Sequence, residues 1–387
     1  MKKDVGGPRV LHVVTRLGLG GAEAVAVSIA AGLNHEFRGA IFAVRGVRRN
    51  EVGEKLEKRL RQANLPLFSG LEWPLKAGGM IPAAFALQRA VRRFKPDIIH
   101  LHTEIPEAAL AMLTALAPAT ARHRLVRTIH HAAFWTFWPR LGAWCERRLQ
   151  NSQIVGVSSD ALEGFREHRH RAGQAQLLNP RVIYNGVEPP AMVQPIGRPN
   201  RQPAKVLYAG RLDWDKGADL LPEILRHART PVGGAELTVH GEGRQERLLR
   251  KALPQTLSGW KTTILPPTAQ LEAAFANHDL LIMPSRIEGL GLVAIEASLQ
   301  GLPVVATRAK GLREAFPPDH PWLPDPGDPK AFARALSDAL VQSELRNTAT
   351  IKAHHLARQR FDPKVMLASY ARLYLEVSLP DRRTGSQ

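Results

Sequence analysis

Short apolar runs recur along the chain, and each is followed by a stretch in which apolar side chains return at helical spacing. In the first half these runs are Val10–Val14, Ala40–Val44, Asp97–Leu101, Leu125–Ile129, Ile154–Val157 and Val182–Tyr184. In the second half they are Val206–Ala209, Leu237–His240, Thr262–Leu265, Leu280–Met283 and Val304–Ala306. A short run reads as a buried strand and the following stretch as an amphipathic helix, so the alternation predicts βαβ units around parallel sheets. Between the two series, Pro189 to Pro203 carries prolines at 189, 190, 195, 199 and 203 and no periodicity, the composition of an extended linker. The expected division is a first domain over 1–188, a linker over 189–204 and a second domain from 205. Doubly wound domains gather ligands at the carboxyl ends of their strands, which makes a cleft between the two the expected active site.

Composition narrows the class of protein. With 387 residues, 44% hydrophobic and 23% charged, the chain can bury two cores, and a disordered tail, a collagen rod and a coiled coil are excluded. Its one cysteine, Cys145, excludes an intramolecular disulfide framework and a cysteine-rich zinc cluster, and points to a reducing compartment. The run Val10–Val14 is too short and too polar, with His12 inside it, for a signal-peptide core, so a cytoplasmic location is expected. The most apolar longer stretch, Ile105 to Ala119, contains Glu107 and falls short of the roughly 18 residues a membrane span needs. The unusual quantity is a net charge of +18, which implies nucleic acid, anionic lipid or phosphorylated ligands as partners. Residues 1–188 hold 27 Lys and Arg against 15 Asp and Glu, and the remainder 26 against 20, so the first domain carries most of the field.

Three segments carry candidate chemistry. After the first strand, Leu17-Gly18-Leu19-Gly20-Gly21-Ala22-Glu23 opens a helix, and its glycines let backbone N–H groups approach a phosphate. Counting G-x-G-x-x-G from Gly18 puts Glu23 at the third glycine site, which argues against a dinucleotide enzyme. The second domain opens with Gly210-Arg211-Leu212-Asp213-Trp214-Asp215-Lys216-Gly217, where Arg211 and Lys216 bracket a loop at a strand's ligand end and suit a diphosphate. Two solvated surface cations would look the same. In Pro284-Ser285-Arg286-Ile287-Glu288-Gly289-Leu290-Gly291-Leu292-Val293-Ala294-Ile295-Glu296, a strand ends, a loop presents Glu288, and a helix starts near Gly291. If all eight steps from Glu288 to Glu296 were helical, the carboxylates would stand about 12 Å apart, the reach from a nucleotide's ribose to the sugar beyond its diphosphate. Carboxylates accept from sugar hydroxyls, and exposed helix N–H groups hold phosphate between them.

The last segment resembles the E-x7-E signature of the retaining GT-B glycosyltransferases of family 4. Further stations resemble that family in its order: Gly20-Gly21-Ala22-Glu23, Thr128-Ile129-His130, Val157-Ser158, Tyr184-Asn185-Gly186-Val187, Gly210-Arg211, Lys216-Gly217 and Pro303-Val304-Val305-Ala306. The likeness runs from residue 10 to about 375, where Tyr370-Ala371-Arg372-Leu373-Tyr374 resembles a last helix crossing back to the first domain, so 366–387 is expected as that helix and tail. The resemblance implies an α/β protein of GT-B fold, two Rossmann-like domains facing an interdomain cleft, with acceptor on the first and nucleotide sugar on the second. By matched motif, Arg211 and Lys216 would bind the diphosphate with Gly210 beside them, Glu296 the ribose, and Glu288 the transferred sugar. Gly291, Leu292 and Val293 would add backbone donors, Gly20 and Gly21 would lie near the β-phosphate, and His130 beside the reacting sugar. The implied reaction moves a sugar from a UDP- or GDP-sugar to a hydroxyl of a glycolipid, lipid-linked or polysaccharide acceptor in envelope glycan synthesis. It retains configuration by front-face departure of the diphosphate, uses no cofactor, and stabilises leaving-group charge with the two cations and helix starts rather than a metal.

Several features remain outside that scheme. Asp213-Trp214-Asp215 spells a metal-binding D-x-D, but a cation beside Arg211 and Lys216 would be redundant. His100 and His102 flank Leu101 at a strand end and read as surface or supporting residues, with an acceptor-facing role as the alternative. The segment Phe134 to Trp144 packs five aromatics into eleven residues with Arg140, Arg147 and Arg148 nearby, which suits either a bilayer interface or packing beneath the next helix. Together with Arg45, Arg48, Arg49, Lys55, Lys58, Arg59 and Arg61 it suggests attachment to an anionic inner leaflet. The competing functions are a sugar-nucleotide epimerase of the same fold and a basic nucleic-acid-binding protein. For the second there is no zinc-finger spacing, RNP-like strand or helix-turn-helix, so no nucleic-acid partner is expected.

Overall fold

The computed structural model describes residues 7–18, 20–71, 78–118, 123–136, 138–174, 177, 179–197 and 201–379. The chain divides into two compact units, one running to Ile183 and resuming at Lys364, the other Tyr184–Pro363.

Unit one is built on seven strands: β1 (Arg9–Val14), β2 (Arg38–Ala43), β3 (Leu67–Ser69), β4 (Ile98–His102), β5 (Arg124–Ile129), β6 (Ser152–Gly156) and β7 (Arg181–Val182). They pair in the order β3-β2-β1-β4-β5-β6-β7, every neighbour parallel. The helices between them are α1 (Gly21–Gly32), α2 (Glu51–Gln62), α3 (Met80–Phe94), α4 (Glu104–Leu116), α5 (Pro139–Arg148) and α6 (Ser159–Arg171). Their starts are set locally: Asn50 accepts from the Gly53 amide to cap α2, and Ser158 from the Ala161 amide to cap α6. Strands covered on both faces read as unbroken apolar runs, which is why β1 is buried from Val10 to Val14.

Unit two contains β8 (Ala204–Ala209), β9 (Ala235–His240), β10 (Thr256–Leu257), β11 (Trp260–Leu265), β12 (Leu280–Met283) and β13 (Val304–Ala306), in the order β10-β11-β9-β8-β12-β13. Only the β10–β11 hairpin is antiparallel. Its helices are α7 (Leu221–His227), α8 (Glu246–Ala252), α9 (Leu271–Ala276), α10 (Leu292–Leu299), α11 (Pro329–Val341) and α12 (Ser343–Arg360). Alternate strand residues in register, Val206, Leu237 and Ile282 among them, share one sheet face and form a buried core there with Trp260, Phe332 and their neighbours. No helix among the described residues is long and apolar enough to cross a membrane.

The closing helix α13 (Pro363–Ser378) packs in unit one, where Tyr370 and Tyr374 are fully buried. Its hydroxyls enter the sheet: Tyr374 lies 2.7 Å from His100 Nδ1 and Tyr370 3.0 Å from Thr128 Oγ1. The proline-rich segment differs from the expected linker. Units divide at 183/184 rather than 188, and Gln194 donates to the Gln300 carbonyl while Arg201 pairs with Asp279, so the described part of 189–203 lies along unit two. Proline lacks the donor a sheet needs but does not stop a neighbour from bonding to the surface beneath it.

The aromatic segment also resolves towards packing. Phe134 and Trp135 are 2% and 3% exposed, Phe134 lies edge-on to Phe165, Trp138 reaches solvent to about a third and Trp144 is partly exposed; Phe137 falls outside the described residues. Trp135 Nε1 donates to Glu107, the carboxylate that interrupts the apolar stretch of α4. Glu107 takes a two-pronged contact from the fully buried Arg127 at 2.7 and 2.8 Å, and Glu146 links Arg127 to Arg169. Two arginines and two glutamates thus cancel inside unit one, and losing one partner from such a cluster costs about 3–5 kcal/mol because a charge is left buried and unpaired.

Candidate active site

In each unit the strand order reverses beside its first strand, between β1 and β4 in unit one and between β8 and β12 in unit two. Loops leaving the carboxyl ends of such a pair are where open α/β sheets bind ligands.

In unit two, the loop after β8 carries Gly210, Arg211 and Lys216, and the loop after β12 carries Ser285 and Glu288. Lys216 Nζ stands 2.6 Å from Glu288 Oε2, closing a 72-residue separation. The other oxygen of Glu288 accepts from Ser285 Oγ at 2.9 Å, so this 8%-exposed carboxylate is held from both sides. Thr307, just past β13, donates to the Ser285 carbonyl and fixes the loop beneath it. The loops lie so close because Gly217, at φ +66°, places its Cα against the Pro284 carbonyl: a Cβ there would come within 2.0 Å of that oxygen. At Gly210, by contrast, a Cβ would meet nothing nearer than the Tyr208 hydroxyl at 3.8 Å, an ordinary contact.

Arg211 is aimed by two carboxylates, Asp213 and Asp215, each 2.7 Å from one of its terminal nitrogens. The Asp213 Oδ1 atom accepts from the Arg244 amide, and the Asp215 carbonyl accepts from the amides of Arg286 and Ile287. The D-x-D carboxylates therefore serve as a clamp on Arg211 and on the neighbouring loop. The sequence presented Arg211 and Lys216 as two bare cations; in the folded chain both are paired.

Helix α10 begins at Leu292, four residues after Glu288. Gly291 caps it at φ +78°, where a Cβ would meet Leu312 at 2.4 Å, so the turn that aims the helix start needs glycine. Leu292 and Val293 occupy the first turn, whose N–H groups have no acceptor within the helix. Because the helix starts at Leu292, Glu288 lies before it and only Glu296 inside it, so the eight-step helical spacing does not hold.

In unit one, the switch point joins Thr15, after β1, to Thr103, after β4, through hydroxyls 2.9 Å apart. Thr103 sits at φ +78° and ψ 173°, a backbone region nearly reserved for glycine that costs a β-branched residue on the order of 1–3 kcal/mol. Gly20 caps α1, and the Glu23 carboxylate folds back to within 2.1 Å of where a Gly20 Cβ would stand. An anion approaching Gly20 and Gly21 has to displace it; Leu19 lies outside the described residues.

His130 follows β5 and is partly exposed. Its Nε2 lies 2.9 Å from Nδ1 of His102, whose Nε2 lies 3.2 Å from Nδ1 of His12. His100 bonds Thr128 and Tyr374. His100 and His102 are fully buried, a correction to the surface reading: alternate residues of β4 share one sheet face, and α13 covers it. Burial pushes His12 and His130 down to about 3 and holds His100 and His102 well below the usual histidine range, so all four rings are neutral at pH 7.

Comparison with known proteins identifies the arrangement. Residues 19–189 match the family described as Glycosyltransferase Family 4, and residues 203–342 that described as Glycosyl transferases group 1. The chain belongs to these glycosyltransferases. A glycogen synthase of Mycobacterium tuberculosis is 25% identical over 335 residues, 81% of this transferase and 77% of that protein. Sulfoquinovosyl transferase SQD2 of Arabidopsis thaliana is 27% identical over 285 residues, 69% of this chain and 55% of that one. Among solved structures, HepE of Anabaena in complex with UDP-glucose superposes with a TM-score of 0.78 at 21% identity, covering 95% of the transferase and 100% of HepE. Two parallel-sheet α/β units of this kind constitute the GT-B fold. The residues that sequence reasoning passed over are Ser285, Thr307 and the pairing roles of Asp213 and Asp215 in unit two, and His12 and its contact with His102 in unit one. A histidine on each of two neighbouring strands, at positions that register as partners (His12 opposite His100), was the available signal for the latter.

Proposed function

We propose that this transferase moves a sugar from a nucleoside-diphosphate donor, a UDP- or GDP-sugar, to a hydroxyl of a glycan or lipid-linked acceptor, with retention of configuration and without a metal. The observation that carries the reading is the Lys216–Glu288–Ser285 cluster at the switch point of unit two, next to the Gly291-capped start of α10. Cation, oriented carboxylate and open helix start are the three groups a sugar diphosphate calls for. Binding then works as an exchange: the diphosphate draws Lys216 and Arg211, and Glu288, released from Lys216, accepts from hydroxyls of the transferred sugar. Gly210 leaves room for the phosphates, the amides of Gly291, Leu292 and Val293 donate to phosphate and sugar, and Glu296 takes the ribose. In unit one His130 meets the reacting sugar, and Gly20 and Gly21 receive phosphate when Glu23 withdraws.

As the glycosidic bond breaks, charge builds on the leaving diphosphate. Arg211 and Lys216, once drawn onto the diphosphate, stabilise that charge and lower the barrier. The acceptor hydroxyl attacks from the same face, which retains the anomeric configuration. A thermal-shift series with UDP-, GDP- and ADP-sugars tests donor binding: a ligand at 100 times its Kd stabilises by about 2.7 kcal/mol. The anomer of the product, read by proton NMR, tests retention. Inversion, or turnover of the nucleotide sugar into its epimer with no acceptor present, would refute the reading.

A membrane-proximal acceptor is favoured by the outer face of α3. Ile81 and Phe85, one turn apart, are 48% and 50% exposed, and Arg89, Arg92, Arg93 and Lys95 stand exposed further along, with no acidic residue in the helix. An apolar tip followed by a cationic shaft suits an anionic leaflet better than the buried Phe134 and Trp135 do. We place the acceptor at such a surface on the cytoplasmic side, in envelope glycan synthesis.

A further inference from the structure

Three imidazoles in unit one form a single line of nitrogen–nitrogen contacts. His12 Nδ1 and His102 Nε2 are 3.2 Å apart, and His102 Nδ1 and His130 Nε2 are 2.9 Å apart. His12 and His102 are 1% and 0% exposed, beneath α13, while His130 reaches the partly open end of the sheet. With every ring neutral, three protons are shared among six nitrogens. Each of the two contacts needs one proton, so the third sits at one end of the line: on Nε2 of His12 or on Nδ1 of His130. The two arrangements cannot be mixed, because reversing one contact forces the other to reverse.

The surroundings choose between them. Among the described residues, His12 Nε2 has no hydrogen-bond acceptor, and an N–H left unpaired in the interior is costlier and rarer than a bare lone pair. At the other end, His130 is a partly exposed side chain, so water or a sugar hydroxyl can accept from an Nδ1–H. The line therefore runs from His12 Nδ1–H to His102 Nε2, from His102 Nδ1–H to His130 Nε2, and ends on an outward Nδ1–H. The nitrogens of His12, His100 and His102 also lie within 4.8 Å of one another, close enough to consider a metal ion. However, both nitrogens of His100 are taken by Thr128 and Tyr374, both of His102 by its histidine neighbours, and an ion there would be charge without a counter-charge.

We propose that His102 and His12 are positioning residues that lock His130 in its neutral Nδ1–H tautomer and turn that N–H towards the sugar. The proposal rests on His130 meeting the reacting sugar, and it adds what His130 offers there: a hydrogen-bond donor of fixed direction rather than a base.

Two-bond proton–nitrogen correlation spectra of the full chain, labelled with nitrogen-15 histidine, read the tautomer directly, with His130→Gln giving the assignment. At pH 7 the wild-type His130 should show a protonated Nδ1 and a bare Nε2; an Nε2–H form or a mixture overturns the proposal before any variant is made. His102→Phe keeps a ring but removes both contacts. It should release His130 into a mixture and lower kcat on the order of ten-fold, with the donor KM little changed, as loss of a tautomer-fixing partner does elsewhere. His102→Asn retains an amide donor near the former Nδ1 and should restore the Nδ1–H form and most of kcat. An unchanged tautomer in His102→Phe, or no recovery in His102→Asn, counts against the proposal. Wild-type turnover in His130→Ala would instead remove the role of His130 at the sugar, while the spectra would still decide whether the line exists.

Discussion

The same histidines give unit one an acid limit that can be calculated. His12, His100 and His102 are buried and bind protons far more weakly than free histidine, His12 only near pH 3. In the unfolded chain each titrates near 6.5. At pH 8 both states hold neutral rings and the full contribution to stability is present. Below 6.5 the unfolded chain takes up protons that the folded chain refuses, so stability falls as pH falls and continues to fall towards pH 3. Per ring the loss is about 0.7 kcal/mol between pH 7 and 6 and about 1.2 kcal/mol between 6 and 5, which for these three rings and His130, likewise held down to about 3, makes roughly 2.7 and then 4.9 kcal/mol. Against a typical domain stability of about 5–15 kcal/mol, unit one should be marginal near pH 5, before most carboxylates protonate. Urea unfolding from pH 8 to 5, with hydrogen exchange followed in peptides from β1 and β4, measures the slope. His12→Gln should flatten it by about a quarter. An unfolding free energy that is level between pH 7 and 6, or a slope identical in wild type and variant, would refute the reasoning.

Four further outcomes bear on the site in unit two and on the surface of unit one. Glu288→Gln should chiefly depress turnover and Glu296→Gln chiefly weaken donor affinity; wild-type kinetics in both would undo the assignment of sugar and ribose. Arg211→Ala and Lys216→Ala should each cost about 2–4 kcal/mol in kcat/KM, as loss of a preorganised charge-stabilising donor does, and full activity in the double variant would remove the diphosphate argument. Activity should persist in EDTA; loss on chelation with recovery on Mn2+ would return Asp213 and Asp215 to a metal role. Anionic vesicles should co-sediment the wild type in low salt and release it in high salt, and Ile81→Ser with Phe85→Ser should weaken that binding; equal failure with anionic and neutral vesicles would leave a soluble acceptor.

Most of the fold was legible because buried parallel strands are written as continuous apolar runs, and all eleven expected strands overlap observed ones. The two that left no trace, Leu67–Ser69 and Thr256–Leu257, are three and two residues long and lie at sheet edges, too short to establish any period. Residue identity at the site was legible too, since glycines at 210, 217 and 291 and charges at 211, 216 and 288 mark loops at strand ends. Pairing was not. The contact of Lys216 with Glu288 spans 72 residues and that of His12 with His102 spans 90, and strand order decides both. The aromatic segment shows the same limit from the other side: its composition suits a bilayer, yet Trp135 is spent on Glu107 because a buried carboxylate needed another donor.

Pairing also changes what the cations mean. Two bare cations would attract any phosphate, whereas Arg211 and Lys216 are met by Asp213, Asp215 and Glu288, one negative charge in excess. Free phosphate then has to compete with carboxylates already 2.6 to 2.7 Å from those cations, and it has nothing to give Glu288 in return. On the proposed reading a sugar diphosphate does: its phosphates would replace the carboxylates on Lys216 and Arg211 while its hydroxyls would satisfy the Glu288 oxygen that Lys216 leaves. Ser285, whose carbonyl accepts from Thr307, would keep that carboxylate in place during such an exchange, since its bond to Glu288 does not involve the cation. On the proposed reading, preference for the whole donor over inorganic phosphate arises at Glu288, because only a ligand that carries hydroxyls returns a donor to the oxygen that Lys216 leaves.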